Sequence, residues 1–246
     1  MFGFGAGRLT TLELVDGLSR SLGPRLRTAL LYGSVIAGDF ERDSSDLNLL
    51  LVISPLGIAE LETIEPLVSN WKWAGKRMPE LFTPEQLLHT LDAFAIEWHD
   101  IHQARKLLHG DDPFVGIAIP TAPMRLQLER EMNAFVLSLR ERFVAARGDE
   151  KRIMRVMTDS VVPLLVLVRA LLRLHSGNGN VPARKVDSLA ELAGRLGFDP
   201  DSILTVLRVR QKKERAPSTG LNLLFSNYLG TAEFLLGAVD RIVVQP

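Results

Sequence analysis

The sequence predicts a small mixed α/β sheet flanked by helices over residues 1–115, followed by an all-helical bundle over residues 116–246. Three observations carry that expectation. Up to Pro113, helix-spaced apolar residues alternate with short, nearly continuous apolar runs. Beyond Pro120 and Pro123 only the helical spacing persists. The change falls in a proline-containing stretch, which reads as a linker.

In the first part, Leu12, Val15, Leu18 and Leu22 recur at helical spacing, and Gly23-Pro24 stops that helix. Leu26 to Tyr32 is a short apolar run that ends abruptly at Gly33-Ser34. A polar, acidic loop from Asp39 to Ser45 follows. Leu47 to Ile53 is apolar almost throughout, as a strand buried on both faces should be. Ile58 to Val68 returns to helical spacing. Glu80-Leu81-Phe82 fits a short strand, and Pro84 suits the first turn of a helix. Phe94 to Trp98 is expected as another strand and Ile101 to Leu108 as a helix ending at Gly110.

In the second part, Leu128, Met132, Phe135, Leu139 and Phe143 form one face of a long helix. A second helix is expected from Asp149 to His175, bent at Pro163, with a loop at Ser176 to Asn180. Three shorter helices fit residues 184–196, 202–212 and 221–243.

Composition removes several classes of function. Lys plus Arg and Asp plus Glu number 29 each, so no overall charge draws the chain to nucleic acid or an anionic membrane. There is no cysteine, which excludes disulfides and thiolate metal sites. The most apolar stretch, Val161 to Leu172, is too short to cross a bilayer, which needs about 20 residues. With no secretory leader evident, a soluble cytoplasmic protein is expected.

The chemistry concentrates between Leu30 and Val52. Gly33 lets the backbone turn sharply and leaves room for a ligand to approach it. Ser34 can offer a hydroxyl and a backbone N–H to a phosphate. Asp46 precedes Asn48 by two residues, and the period of a strand places both side chains on one face. A plainer reading makes Gly33-Ser34 an ordinary turn and Asp46 a capping residue.

The spacing of Tyr32-Gly33-Ser34, Ser45-Asp46-Leu47 and the apolar Leu49 to Val52 resembles the nucleotidyltransferase superfamily. The run Lys106 to Phe114 is similar to predicted bacterial nucleotidyltransferases with a helical C-terminal domain. The resemblance implies a nucleotidyltransferase-like sheet followed by a helical bundle, with Gly33 and Ser34 cradling phosphates. It further implies that Asp46, Asn48 and a third acidic residue on a later, neighbouring strand hold Mg2+. Glu97 is the candidate for that third position, as metal ligand or base.

Asn48 departs from the pattern, which has a second carboxylate there. The resemblance therefore implies a nucleoside triphosphate or other phosphate ligand bound at a weakened two-metal site, with poor or absent transfer. Two alternatives stay open. One is a working Mg-dependent transferase moving a nucleoside monophosphate to a hydroxyl. The other is a non-enzymatic interaction module whose cleft is vestigial. The oligomeric state, homodimer included, is not fixed by the sequence.

Four weaker signals have plain readings. Arg169 and His175 have the spacing of an RNA-cleaving motif in helical domains, but also suit a helix C-terminus. His99 and His102 lack an evident third metal ligand. Trp71 and Trp73 fit a strand or loop that buries one of them. Arg208, Arg210, Lys212, Lys213 and Arg215 fit a solvated helix end.

Overall fold

The structure, a computed structural model, describes residues 10–38, 47–73, 77–177, 181–217 and 220–242, without the side chains of 72 and 73. The expected Asp46 and the acidic loop before it lie outside the described residues. The chain divides into two units, residues 1–91 with 97–119, and residues 92–96 with 120–246.

In the first unit, helix α1 (Thr11–Leu22) opens with a capping box, Thr10 and Glu13 each closing on the other's backbone N–H. Strand β1 (Leu26–Tyr32) leads into a single helical turn, α2 (Ser34–Ala37). Strand β2 (Asn48–Ile53), helix α3 (Ile58–Trp73), strand β3 (Glu80–Phe82) and helix α4 (Pro84–His89) follow. Helix α5 (Ala95–Gln103) then gives way to strand β4 (Arg105–Gly110).

Among the described residues the sheet order is β3-β2-β1-β4. β1 pairs antiparallel with both β2 and β4, and β2 pairs parallel with β3. Alternation divides β2 between two cores. Leu49, Leu51 and Ile53 pack with Leu14, Leu18 and Trp71, whereas Leu50 and Val52 pack with Leu30, Trp98 and Ile101. That two-sided burial is why β2 reads as an unbroken apolar run.

Two expectations need correction here. Phe94 to Trp98 is not a strand, and Ile101 to Leu108 is not one helix; α5 takes in residues 95–98 of the first and 101–103 of the second, and residues 105–108 belong to β4. The reason is non-local. The Ile96 N–H, in the first turn of α5, is satisfied by the Gln127 side chain 31 residues away, at 3.0 Å. Residues 105–110 are drawn out by pairing with β1, where Thr28 faces Gly110. At Gly110 a Cβ would stand 1.8 Å from the Arg27 carbonyl oxygen, so only glycine lets the strands meet.

The second unit contains the expected bundle. Its helices are α6 (Ala122–Ala146), α7 (Glu150–His175), α8 (Lys185–Leu196), α9 (Asp201–Arg210) and α10 (Leu221–Asp240). α7 runs through Pro163 and is buried on most of its circumference over Val161 to Leu174. That is the expected state of a central helix, apolar around most of its circumference. Within the core, Tyr228 is fully buried and shares a 3.0 Å hydrogen bond with the Ser160 hydroxyl. No helix among the described residues is long and apolar enough to cross a membrane.

Candidate active site

β1 ends at Tyr32, and the chain turns at Gly33 with φ 84° and ψ −149°, a conformation essentially reserved for glycine. The Gly33 N–H donates to the Ala104 carbonyl at 3.3 Å, tying the turn to the segment that precedes β4. Ser34 opens α2, and Gly38 closes it in the left-handed region.

The antiparallel register sets Tyr32 opposite Asn48. Asn48 therefore stands beside the turn. A Cβ added to Gly33 would lie 2.7 Å from Asn48 Nδ2. Asn48 Oδ1 is buried and has no hydrogen-bond partner among the described residues. An unsatisfied buried acceptor costs roughly 1–3 kcal/mol, so it calls for a physical reason.

β3 adds an acidic group that sequence reasoning missed. Glu80, its first residue, is in parallel register with Leu50, two residues along from Asn48. By alternation Asn48, Leu50 and Glu80 share the sheet face that carries Leu30 and Tyr32. Burial foremost, and then the charge and hydrogen bond of Glu80, push the Tyr32 hydroxyl far above the ordinary phenol range. Glu97 adds to that push and Arg77 opposes it. Tyr32 thus stays protonated and donates to the Glu80 carboxylate, with a second carboxylate close enough to act on the same phenol.

The expected residues divide accordingly. Gly33, Ser34 and Asn48 come together at the β1–β2 end, and Asp46 lies outside the described residues. Glu97 reaches the neighbourhood of Tyr32, but it does so from the first turn of a helix and is solvent-exposed. The acidic residue on the strand beside β2 is Glu80. Its signal was present in the sequence, since Glu80-Leu81-Phe82 reads as a strand and Glu80 is its one acidic residue.

For a divalent cation, the orphaned Oδ1 of Asn48 is a hard oxygen of the kind Mg2+ accepts. Among the described residues no group of three or more His, Cys, Asp or Glu could hold a metal ion. The described donors thus fit only part of a cation site.

The weaker signals resolve into structural roles. Arg169 is buried and donates to the Ala183 carbonyl at 2.8 Å, whereas His175 is exposed. Six residues on a helix turn about 240°, so the two side chains leave different faces. His102 meets the Phe114 ring edge-on at 6.2 Å. Trp71 is fully buried near the end of α3, not in a strand or loop, and its Nε1–H donates to the Arg77 carbonyl at 2.9 Å. The Trp73 side chain lies outside the description. Arg208 pairs with Glu214 at 2.7 Å, and Arg210 donates to the Thr158 carbonyl, so both turn back onto the chain.

No family model and no curated protein matches this sequence. Among solved structures, the spectinomycin adenyltransferase AAD(9) from Enterococcus faecialis, determined with ATP and spectinomycin, is similar with a TM-score of 0.57. The similarity covers 94% of this chain and 100% of that one, at 15% sequence identity. At that identity the likeness speaks for architecture. The fold foreshadowed by the Gly-Ser turn and the apolar strand after it is the one this chain has, that of a nucleotidyltransferase.

Proposed function

We propose that this chain binds a nucleoside triphosphate with its phosphates against Gly33 and Ser34, and that it transfers the nucleotidyl group weakly or not at all. One observation carries the reading. Asn48, beside the glycine turn, offers a buried neutral oxygen, unpartnered among the described residues, where the resembling family has a carboxylate. Mg2+ would be held by Asp46 and Asn48 with Glu80 or Glu97, and would supply charge neutralisation at the phosphates.

The similar adenyltransferase, solved with ATP, supports the choice of ligand. For residual transfer to a hydroxyl acceptor, Glu80 fits the part of general base. It sits on the ordered strand next to β2, and Tyr32 holds its carboxylate. Glu97 then serves as an accessory carboxylate. The same pair favours the second reading, a working Mg-dependent transferase, since the site keeps acidic groups apart from the Asp-x-Asn pair.

Nucleotide binding is checked by the melting temperature of the purified protein. Ligand at about a hundred times its Kd adds about 2.7 kcal/mol to the folded state. For a chain of this size that is a rise of about 5–10 °C with ATP and Mg2+. The proposal fails if ATP, GTP, CTP and UTP all leave the transition where it was, and the interaction-module reading then gains.

A further inference from the structure

α6 carries an outward stripe that the bundle does not use. Leu126 is 69% exposed, Leu137 54% and Val144 75%, with exposed Asn133 between them. At about 100° per residue these four positions fall within about 40° of one another, opposite the buried Leu128, Leu139 and Ala146. Single exposed leucines are ordinary on a protein surface; an aligned row along a 25-residue helix is not.

The residues flanking the stripe repeat with opposite charge. Arg130 and Glu141 lie on one flank, and Glu129 and Arg140 on the other. We infer that this face docks on α6 of a second copy of the chain, the two helices antiparallel about a two-fold axis at position 135. Leu126 then meets Val144 of the other copy, and Asn133 meets Leu137, since each pair is equidistant from that position. The axis keeps each flank on its own side. Arg130 of one copy comes level with Glu141 of the other, and Arg140 with Glu129.

The second of these contacts extends ion pairs already present. Arg140 holds Glu233 at 2.9 Å and Glu129 holds Arg125 at 3.1 Å, so two cations and two anions meet there. The first contact is more independent, because Arg130 is 74% exposed and, among the described residues, is ion-paired only with its neighbour Glu131, at 3.8 Å. The flanks would match in a parallel pair too, and the opposed helix dipoles select the antiparallel one. With a formal net charge of zero, two copies do not repel at long range.

Sedimentation equilibrium tests the association. The wild-type mass rises toward twice that of the chain at micromolar concentration, and Leu137→Glu stays monomeric. Arg130→Glu and Glu141→Arg each weaken the dimer tenfold or more, and the double swap restores it. Orientation is read by cross-linking, for which the absence of native cysteine is convenient. Leu126→Cys and Val144→Cys proteins cross-link when mixed and oxidised, whereas neither does so alone, its two thiols lying about 27 Å apart. A wild-type chain monomeric at 100 micromolar overturns the inference. So does a dimer indifferent to the charge swap, or cross-linking of either single-cysteine protein with itself.

Discussion

Asn48→Asp is expected to raise magnesium-dependent nucleotide transfer about a thousandfold over the wild-type chain, measured as pyrophosphate release with ATP and a panel of hydroxyl acceptors. A unit charge about 4 Å from a cation contributes about 4 kcal/mol at an effective dielectric near 20. At 1.36 kcal/mol per decade, that difference in a transition state is about three powers of ten. The substitution replaces the amide nitrogen by an oxygen in a position whose other oxygen is already buried, so the fold has no new volume to accommodate. It does place an anion there, and the variant therefore melts below wild type without Mg2+ and recovers with it. A folded Asn48→Asp protein with unaltered transfer would mean that the amide is not what limits this site.

Gly33→Ala is expected to abolish the nucleotide-induced rise in melting temperature and to lower stability in urea by about 1–3 kcal/mol. The backbone conformation at Gly33 is strained for any residue with a Cβ, at a cost of that order. The added methyl also meets Asn48 Nδ2 at 2.7 Å, closer than non-bonded atoms tolerate. The turn must open or Asn48 must move, and either displaces the surface proposed for the phosphates. The two contributions can be separated. Combining Gly33→Ala with Asn48→Ala removes the collision and leaves the backbone strain, so part of the lost stability returns. Full additivity of the two substitutions would show that they do not touch.

The strands and turn that frame the site were legible because their signals are local. A strand buried on both faces writes itself as an unbroken apolar run, as Leu49 to Ile53 does, and the abrupt stop at Gly33-Ser34 marks the bend. The long helices of the second unit were legible for a similar reason, each burying one face or most of its surface over many turns. What misled were elements fixed by distant partners. The first turn of α5 is completed by Gln127, and no pattern within residues 94–103 announces that acceptor. β4 carries Arg105, Lys106 and His109 on a strand whose form comes from pairing with β1. At the site, Gly33, Ser34 and Asn48 were singled out from the turn, the strand and the resemblance they carry, and Glu97 was preferred for a third acidic position because its segment was taken for a strand. The acidic residue on the strand beside β2 is Glu80. Its parallel register with Leu50 places it, and register is a property of two strands that neither displays by itself.

The central claim is that phosphates seat on the Gly33-Ser34 turn beside Asn48. Amide resonances of isotope-labelled wild-type protein, followed as ATP and Mg2+ are added, address it most directly. The account predicts that the backbone signals of Gly33 and Ser34 and the side-chain amide of Asn48 shift together, saturating at one nucleotide concentration. Shifts confined to other segments, or none at millimolar ATP, would contradict it.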